Sequence, residues 1–124
     1  MLAETQGYLE RISEVQRYIR EHMDQPLHRD VLAVVAGFSI PHFHRIFTDH
    51  VGESAASYVR RLRMVRAGRK LRMGAVDITE VALAAGYDTH AAFSKAFKQH
   101  FGLSPSEFRQ LGCWAATQLL KDKR

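Results

Sequence analysis

The chain repeats itself. Leu32-Ala33-Val34-Val35-Ala36-Gly37-Phe38-Ser39 aligns with Val81-Ala82-Leu83-Ala84-Ala85-Gly86-Tyr87-Asp88. Once the second copy is allowed a longer turn, Phe43-His44-Arg45-Ile46-Phe47 falls on Phe93-Ser94-Lys95-Ala96-Phe97. His50-Val51-Gly52 then falls on His100-Phe101-Gly102, Ser54 on Ser104 and Tyr58 on Phe108. Two copies of so short a unit mean duplication of a small module. A solenoid would need at least about three repeats to bury its faces.

Each copy reads as helix, tight turn, helix. In the first, a leading helix from about Leu27 to Ala36 ends at Gly37, since glycine accepts the left-handed conformation after a helix. Ser39 caps the next helix and Pro41 is tolerated in its first turn. In the second, Asp77 caps the leading helix, Gly86 turns the chain, and Asp88 or Thr89 caps the helix that Gly102 stops. Ser104-Pro105-Ser106-Glu107 is a capping box opening a short closing helix to about Leu111. Before the repeat, Tyr8, Leu9, Ile12, Val15, Tyr18, Ile19 and Met23 mark the apolar face of a helix that stops at Asp24-Gln25-Pro26. Between the copies, a helix from Ser54 to about Met73 carries Ala55, Tyr58, Val59, Leu62 and Val65 on one face. Arg60, Arg61, Arg63, Arg66, Arg69, Lys70 and Arg72 occupy the rest, with no acid among them. Gly68 costs that helix roughly 1 kcal/mol against alanine and permits a close helix contact. No segment alternates in the manner of a strand, so the fold class is all-α. The expected organisation is a first helix-turn-helix subdomain over 8–53, a basic linker helix over 54–73, a second subdomain over 74–112, and over 113–124 a tail or the start of a connection to a missing domain, with Trp114 to Leu120 read either as an extra helix or as the start of that connection.

Charge narrows the partner. The 124 residues carry a formal net charge of +5, with the positive excess lying after Pro26. That balance suits a polyanion such as nucleic acid. The single cysteine, Cys113, excludes an intrachain disulfide and a cysteine zinc site. No signal-type or membrane-spanning apolar run is present, so a cytoplasmic, nucleoid-associated protein is expected.

The repeat has the spacing of a DNA-reading module. A small residue lets two helices cross closely, a glycine four residues on makes the bend, and apolar anchors hold the second helix while its other face enters the major groove. Ala33, Gly37, Phe43 and Ile46 meet this pattern, and so do Ala82, Gly86, Phe93 and Ala96. With the anchors turned inward, the outward residues of the first recognition helix include Pro41, His42, His44, Arg45 and Thr48. Those of the second include Thr89, His90, Ala91, Ser94, Lys95 and Lys98. Candidates for reading base edges are Pro41, His42, His44, Arg45, Thr89, His90, Ala91, Ser94 and Lys95. Candidates for phosphate are Ser39, Thr48, Arg60, Arg63, Arg66 and Lys98. A linker of about 20 residues is about 30 Å long. The same face of DNA returns after about 34 Å, so a monomer could reach two successive major grooves on an asymmetric site.

On these residues the chain resembles the DNA-binding domain of the AraC/XylS family, over roughly Tyr8 to Gly112. The diagnostic stretches are Val81-Ala82-Leu83-Ala84-Ala85-Gly86-Tyr87, Phe93-Ser94-Lys95-Ala96-Phe97-Lys98 and Phe101-Gly102-Leu103-Ser104-Pro105-Ser106-Glu107-Phe108-Arg109. His42-Phe43-His44-Arg45-Ile46-Phe47 resembles the branch in which an effector-binding domain follows the DNA-binding domain. The resemblance implies seven helices in two homeodomain-like helix-turn-helix subdomains, bacterial transcription control, and contacts near RNA polymerase. By position it puts base reading on Pro41, His44 and Arg45, and on His90, Ala91 and Lys95. Pro41 and Ala91 offer apolar contact alone. Lys95 stands where the family more often has arginine, losing bidentate recognition of guanine. His28 stands where the family often has a capping serine or threonine. The chain would be either a complete short regulator or the DNA-binding part of a longer one, with an effector domain beyond Arg124.

Other chemistries find little support. A helix aims His42 and His44, two residues apart, to different sides, so no metal is expected. No nucleophile stands at a useful distance from a base, and no glycine loop is built for a phosphate, so neither catalysis nor a cofactor is expected. The competing reading is a basic helical interaction module that binds an acidic protein or a membrane without reading DNA sequence.

Overall fold

The computed structural model describes residues 2–74 and 77–121, and all its regular elements among them are helices. They are α1 (Leu2–Glu21), α2 (Arg29–Ala36), α3 (Ile40–Val51), α4 (Ala55–Leu71), α5 (Ile78–Ala84), α6 (His90–Phe101), α7 (Pro105–Arg109) and α8 (Cys113–Leu120). Ala75 and Val76, expected at the head of the second subdomain, and Asp122–Arg124 of the tail lie outside the described residues. Among the described residues eight helices replace the expected seven. The extra one, α8, forms in the stretch read as an extra helix or a connection because Ala116 and Leu120 have a core to join: Ala116 is buried, and Leu120 packs against the same cluster.

The chain divides into two compact units, residues 1–60 and 61–124, and the division falls inside α4. In the first unit, α1, α2 and α3 pack on one another. Ile12, Val15 and Ile19 face inward from α1, while Leu9, although on the apolar side by periodicity, is 47% exposed. Leu32, Ala33, Phe43, Phe47 and Tyr58 complete this core, with Phe47 edge-on to Tyr58 at 5.6 Å between ring centroids. In the second unit, Met64, Ala67 and Leu71 are buried with Val81, Ala82, Phe93, Phe97 and Phe108. Phe97 meets the rings of Phe93, Phe101 and Phe108 at centroid distances of 5.5, 4.7 and 5.3 Å.

The duplication reaches beyond the two aligned stretches. Ile12, Val15 and Ile19 of α1 have their counterparts in Met64, Ala67 and Leu71 of α4, with the same spacing and the same burial. The first turn of α4 is in turn the counterpart of α7. Ser54 accepts a bond from Ser57 N at 3.1 Å, as Ser104 does from Glu107 N at 3.1 Å. One helix therefore closes the first module with its opening turn and opens the second with the rest. This explains its two apolar stripes: Ala55, Tyr58 and Val59, then Met64, Ala67 and Leu71.

Two arginines tie the second unit shut. Arg72 Nη1 donates to the carbonyls of Phe108, Arg109 and Leu111 at 3.4, 3.0 and 2.6 Å. Arg109 answers, Nε to the Leu71 carbonyl at 3.3 Å and Nη2 to the Gly74 carbonyl at 3.5 Å. Each cation caps the carbonyl end of the other's helix, where orphan acceptors and the dipole both favour positive charge. Arg72, grouped by the sequence with an exposed basic face, is thus half-buried and engaged. Gly68 does admit a close contact. A Cβ there would lie 2.6 Å from Leu120 Cδ2 and 3.4 Å from Phe108 Cζ.

Candidate nucleic-acid interface

Both recognition helices are launched by the same turn. Gly37 (φ 76°) donates to Val34 O and Phe38 to Ala33 O, each at 3.0 Å. Gly86 (φ 94°) donates to Leu83 O and Tyr87 to Ala82 O, again each at 3.0 Å. This paired pattern closes the leading helix on a left-handed residue, where a side chain would be strained. Ser39 then caps α3, accepting from His42 N at 3.4 Å, and Thr89 caps α6, accepting from Ala92 N at 3.1 Å. Asp77 caps α5 as expected, whereas His28 gives α2 no side-chain cap.

The starts of α3 and α6 are electrostatically open to an anion. Neither has an acidic residue in its first turn, while α2, α5 and α7 carry Asp30, Glu80 and Glu107 there. An acid at that point would repel phosphate from the positive pole of the helix. The two recognition helices are spared it, as are α4 and α8.

The predicted residues are distributed as follows. On α3, Pro41, His44 and Arg45 are exposed, opposite the buried Phe43, Ile46 and Phe47. His42 is half-buried and packed, with ring centroids 5.7 Å from Tyr8 and 4.7 Å from Phe38. Tyr8 and Phe38 meet edge-on at 5.5 Å, and the Arg11 guanidinium lies 5.0 Å from the Phe38 centroid. That group ties the start of α3 to α1. The Thr48 hydroxyl oxygen is buried, and Ser39 is exposed with its hydroxyl used as the cap. On α6, His90, Ala91, Lys95 and Lys98 are exposed, Ser94 is half-buried, and Thr89 is exposed while capping. On α4, Arg60 is exposed and Arg63 and Arg66 are half-buried.

Arg63 has a counterpart that sequence inspection missed. A Cβ on Gly86 would lie 3.8 Å from Arg63 Nη1, and a Cβ on Gly37 would lie 3.7 Å from Arg11 Nη1. Each module thus sets a guanidinium beside its turn glycine. The signal was present: Arg11-Ile12 precedes Val15 and Ile19 as Arg63-Met64 precedes Ala67 and Leu71. Among the described residues no group of three or more metal-ligating side chains comes together, and no single helix is long and apolar enough to cross a membrane.

Known proteins share this architecture. A family model described as a helix-turn-helix domain matches residues 32–111. The transcriptional regulator Rob of Salmonella typhimurium is 33% identical over 105 residues, covering 85% of this chain and 36% of that protein. The regulatory protein SoxS of Escherichia coli K12 is 33% identical over 98 residues, covering 79% of this chain and 92% of that protein. The chain therefore spans about a third of the length of Rob and nearly the whole of SoxS. Among solved structures, an AraC-type transcriptional regulator from Chromobacterium violaceum superposes with a TM-score of 0.77 at 27% identity, covering 86% of this chain and 98% of that one. The DNA-binding domain of AdpA, a global transcriptional factor solved with a target DNA, superposes with a TM-score of 0.72 at 26% identity, covering 79% of this chain and 88% of that one.

Proposed function

From the premise that this chain belongs to the AraC/XylS family of helix-turn-helix transcription regulators, we propose that it binds double-stranded DNA sequence-specifically and regulates transcription. The carrying observation is the duplicated turn-and-cap geometry, which presents two acid-free helix starts with polar or basic outer faces. His44 and Arg45 of α3 read one short box, and His90, Ser94 and Lys95 of α6 read the other. Pro41 and Ala91 supply apolar contact, for example to a thymine methyl. Lys98 and the exposed Arg60 meet phosphate, which sets affinity and its salt dependence without carrying sequence information. The chain acts as a monomer in the cytoplasm. Its two modules are direct repeats, so the operator is asymmetric, and RNA polymerase is the further partner.

Selection of random duplex DNA by the purified chain at near-physiological salt tests this. The expected product is an asymmetric site with two short boxes about one helical turn apart. Enrichment of a palindrome bound by a two-fold dimer would overturn the monomer. Salt-sensitive binding to every duplex with no enrichment would overturn sequence-specific reading.

A further inference from the structure

We infer that Arg11, on α1 and outside both recognition helices, is a phosphate contact that seats the first module on the DNA backbone. The inference rests on the proposed DNA binding and adds a residue that the recognition helices do not supply. Arg11 is exposed, and its guanidinium is held beside the turn that launches α3. A Cβ on Gly37 would lie 3.7 Å from Arg11 Nη1, and Arg11 Cζ lies 5.0 Å from the centroid of the Phe38 ring. Arg11 and Phe38 line one hollow with Gly7, Tyr8 and His42, the last in the first turn of α3.

Distance decides what such a group can touch. Gly37 and Phe38 precede the Ser39 cap by two residues and one, a reach of at most about 8 Å. The start of α3 enters a major groove about 12 Å wide. A cation set to the side of that start meets the strand bounding the groove, and so phosphate in place of base edges.

The side chain is also prepared for an anion. A ring contact fixes the guanidinium without neutralising it, so less freedom is lost when phosphate arrives. Phe38 is itself fixed, edge-on to Tyr8 and tilted against His42. Other cations of α1 are placed differently. Arg17 pairs with Glu14, Arg20 reaches Tyr58, and both line a separate groove with Glu10 and Glu14. Arg63 stands beside Gly86 as Arg11 stands beside Gly37, so the placement recurs in the second module. The carbonyl end of α2 also favours a cation beside Gly37, and α2 has no basic residue in its own last turn. Stability and DNA binding must therefore be read separately.

The affinity of the full chain for duplex DNA should be followed by fluorescence anisotropy between about 50 and 200 mM salt. Arg11→Ala, and Arg11→Met, which keeps an apolar stem on Phe38, should weaken every duplex several-fold. Both should flatten the salt slope by about 1. Arg11→Lys should keep the slope, because the charge remains. Arg17→Ala removes the same charge from the same helix and should leave affinity and slope nearly unchanged. Melting curves of the variants report any loss of stability, which a purely structural Arg11 would cause with no change of slope. An unaltered slope in Arg11→Met, beside salt-sensitive binding by the unaltered chain, would overturn the contact and leave the DNA reading standing. Equal flattening by Arg17→Ala, or altered base preference in Arg11→Met, would also overturn a local phosphate contact. No binding of any duplex by the unaltered chain would overturn both readings.

Discussion

The two modules share a plan and differ in what braces it. Turn, caps and buried phenylalanines are duplicated almost position for position. A helix-turn-helix this small buries too little surface to stand alone, and each copy finds the remainder differently. The first leans on α1, through Tyr8, Phe38 and His42, and on the opening turn of α4. The second is wrapped by α7 and α8, carries four rings in mutual contact, and is closed by the Arg72–Arg109 exchange. A duplicated sequence therefore does not imply duplicated support. The supporting elements differ where the turn and its anchors do not.

The largest effect is expected from removing the ring at the centre of the second unit. Phe97→Ala should cost about 3–5 kcal/mol, the usual range for a fully buried phenylalanine. Hydrogen exchange should accelerate across α5, α6 and α7 while α2 and α3 keep their protection. If protection falls equally in both modules, they share one cooperative core and the contrast in bracing loses its energetic meaning.

The arginines sharpen the contrast at smaller scale. Arg20 and Arg72 are equivalent positions, as are Tyr58 and Phe108. In the first unit Arg20 reaches the Tyr58 hydroxyl, at 3.5 Å, from an exposed position. In the second, Arg72 holds three carbonyls. Arg72→Ala should therefore cost about 1–3 kcal/mol, the penalty of stranding partly buried acceptors. Arg20→Ala should stay within about 0.5 kcal/mol, as surface changes do. Chemical denaturation of the two variants side by side measures this. Equal losses would mean that the carbonyl end of α7 finds water as readily as Arg72.

Most of the reading half of the fold was legible in the sequence, because local chemistry dictates it. A left-handed turn needs glycine, a helix start needs Ser39 or Thr89, and buried positions of a helix recur at three and four residues. The bracing half was harder to see. Gly68, Leu120 and Ala116 are unremarkable in sequence, and only their meeting makes α8 a helix with a place to pack. Arg72 reads as one of seven basic residues, since its acceptors lie some 36–39 positions away. His42 looks outward by periodicity and is turned by two aromatic neighbours from other elements. The role of α4 in both modules was hidden for a related reason. Its two apolar stripes average into what looks like one helix with a basic remainder.

The reading faces differ as well. Arg45 can meet a guanine through two parallel bonds, whereas Lys95 is a point charge on a flexible stem. Both are exposed on their helices. Arg45→Ala should cost about 1–3 kcal/mol on the selected operator and relax preference within the first box. Lys95→Ala should cost less and leave base preference in the second box nearly unchanged, while flattening the salt slope. Competition binding against single-base variants of the operator distinguishes these outcomes. A larger loss of preference from Lys95→Ala would reverse the ranking of the two helices.

The smallest expected effect concerns the caps of the closing helices. Ser54 and Ser104 are equivalent, but the residue three positions on is Ser57 in one and Glu107 in the other. Glu107 accepts from Ser104 N at 2.9 Å, and Ser57 instead donates its hydroxyl to Glu53 at 2.9 Å. The backbone N–H and then the hydroxyl of Ser104 hold the Glu107 carboxyl below its ordinary value of 4.5. A depressed carboxyl binds fewer protons folded than unfolded, so it adds stability above its unfolded pKa and loses it as pH falls through the folded one. Glu107→Gln should therefore lower the melting temperature slightly at neutral pH. The gap from the unaltered chain should close as pH drops through and below 4.5. Glu107 is exposed, so the shift should also shrink with added salt. A gap that persists unchanged in acid would mean that the loss comes from how the amide fits the box and not from the charge of the carboxylate.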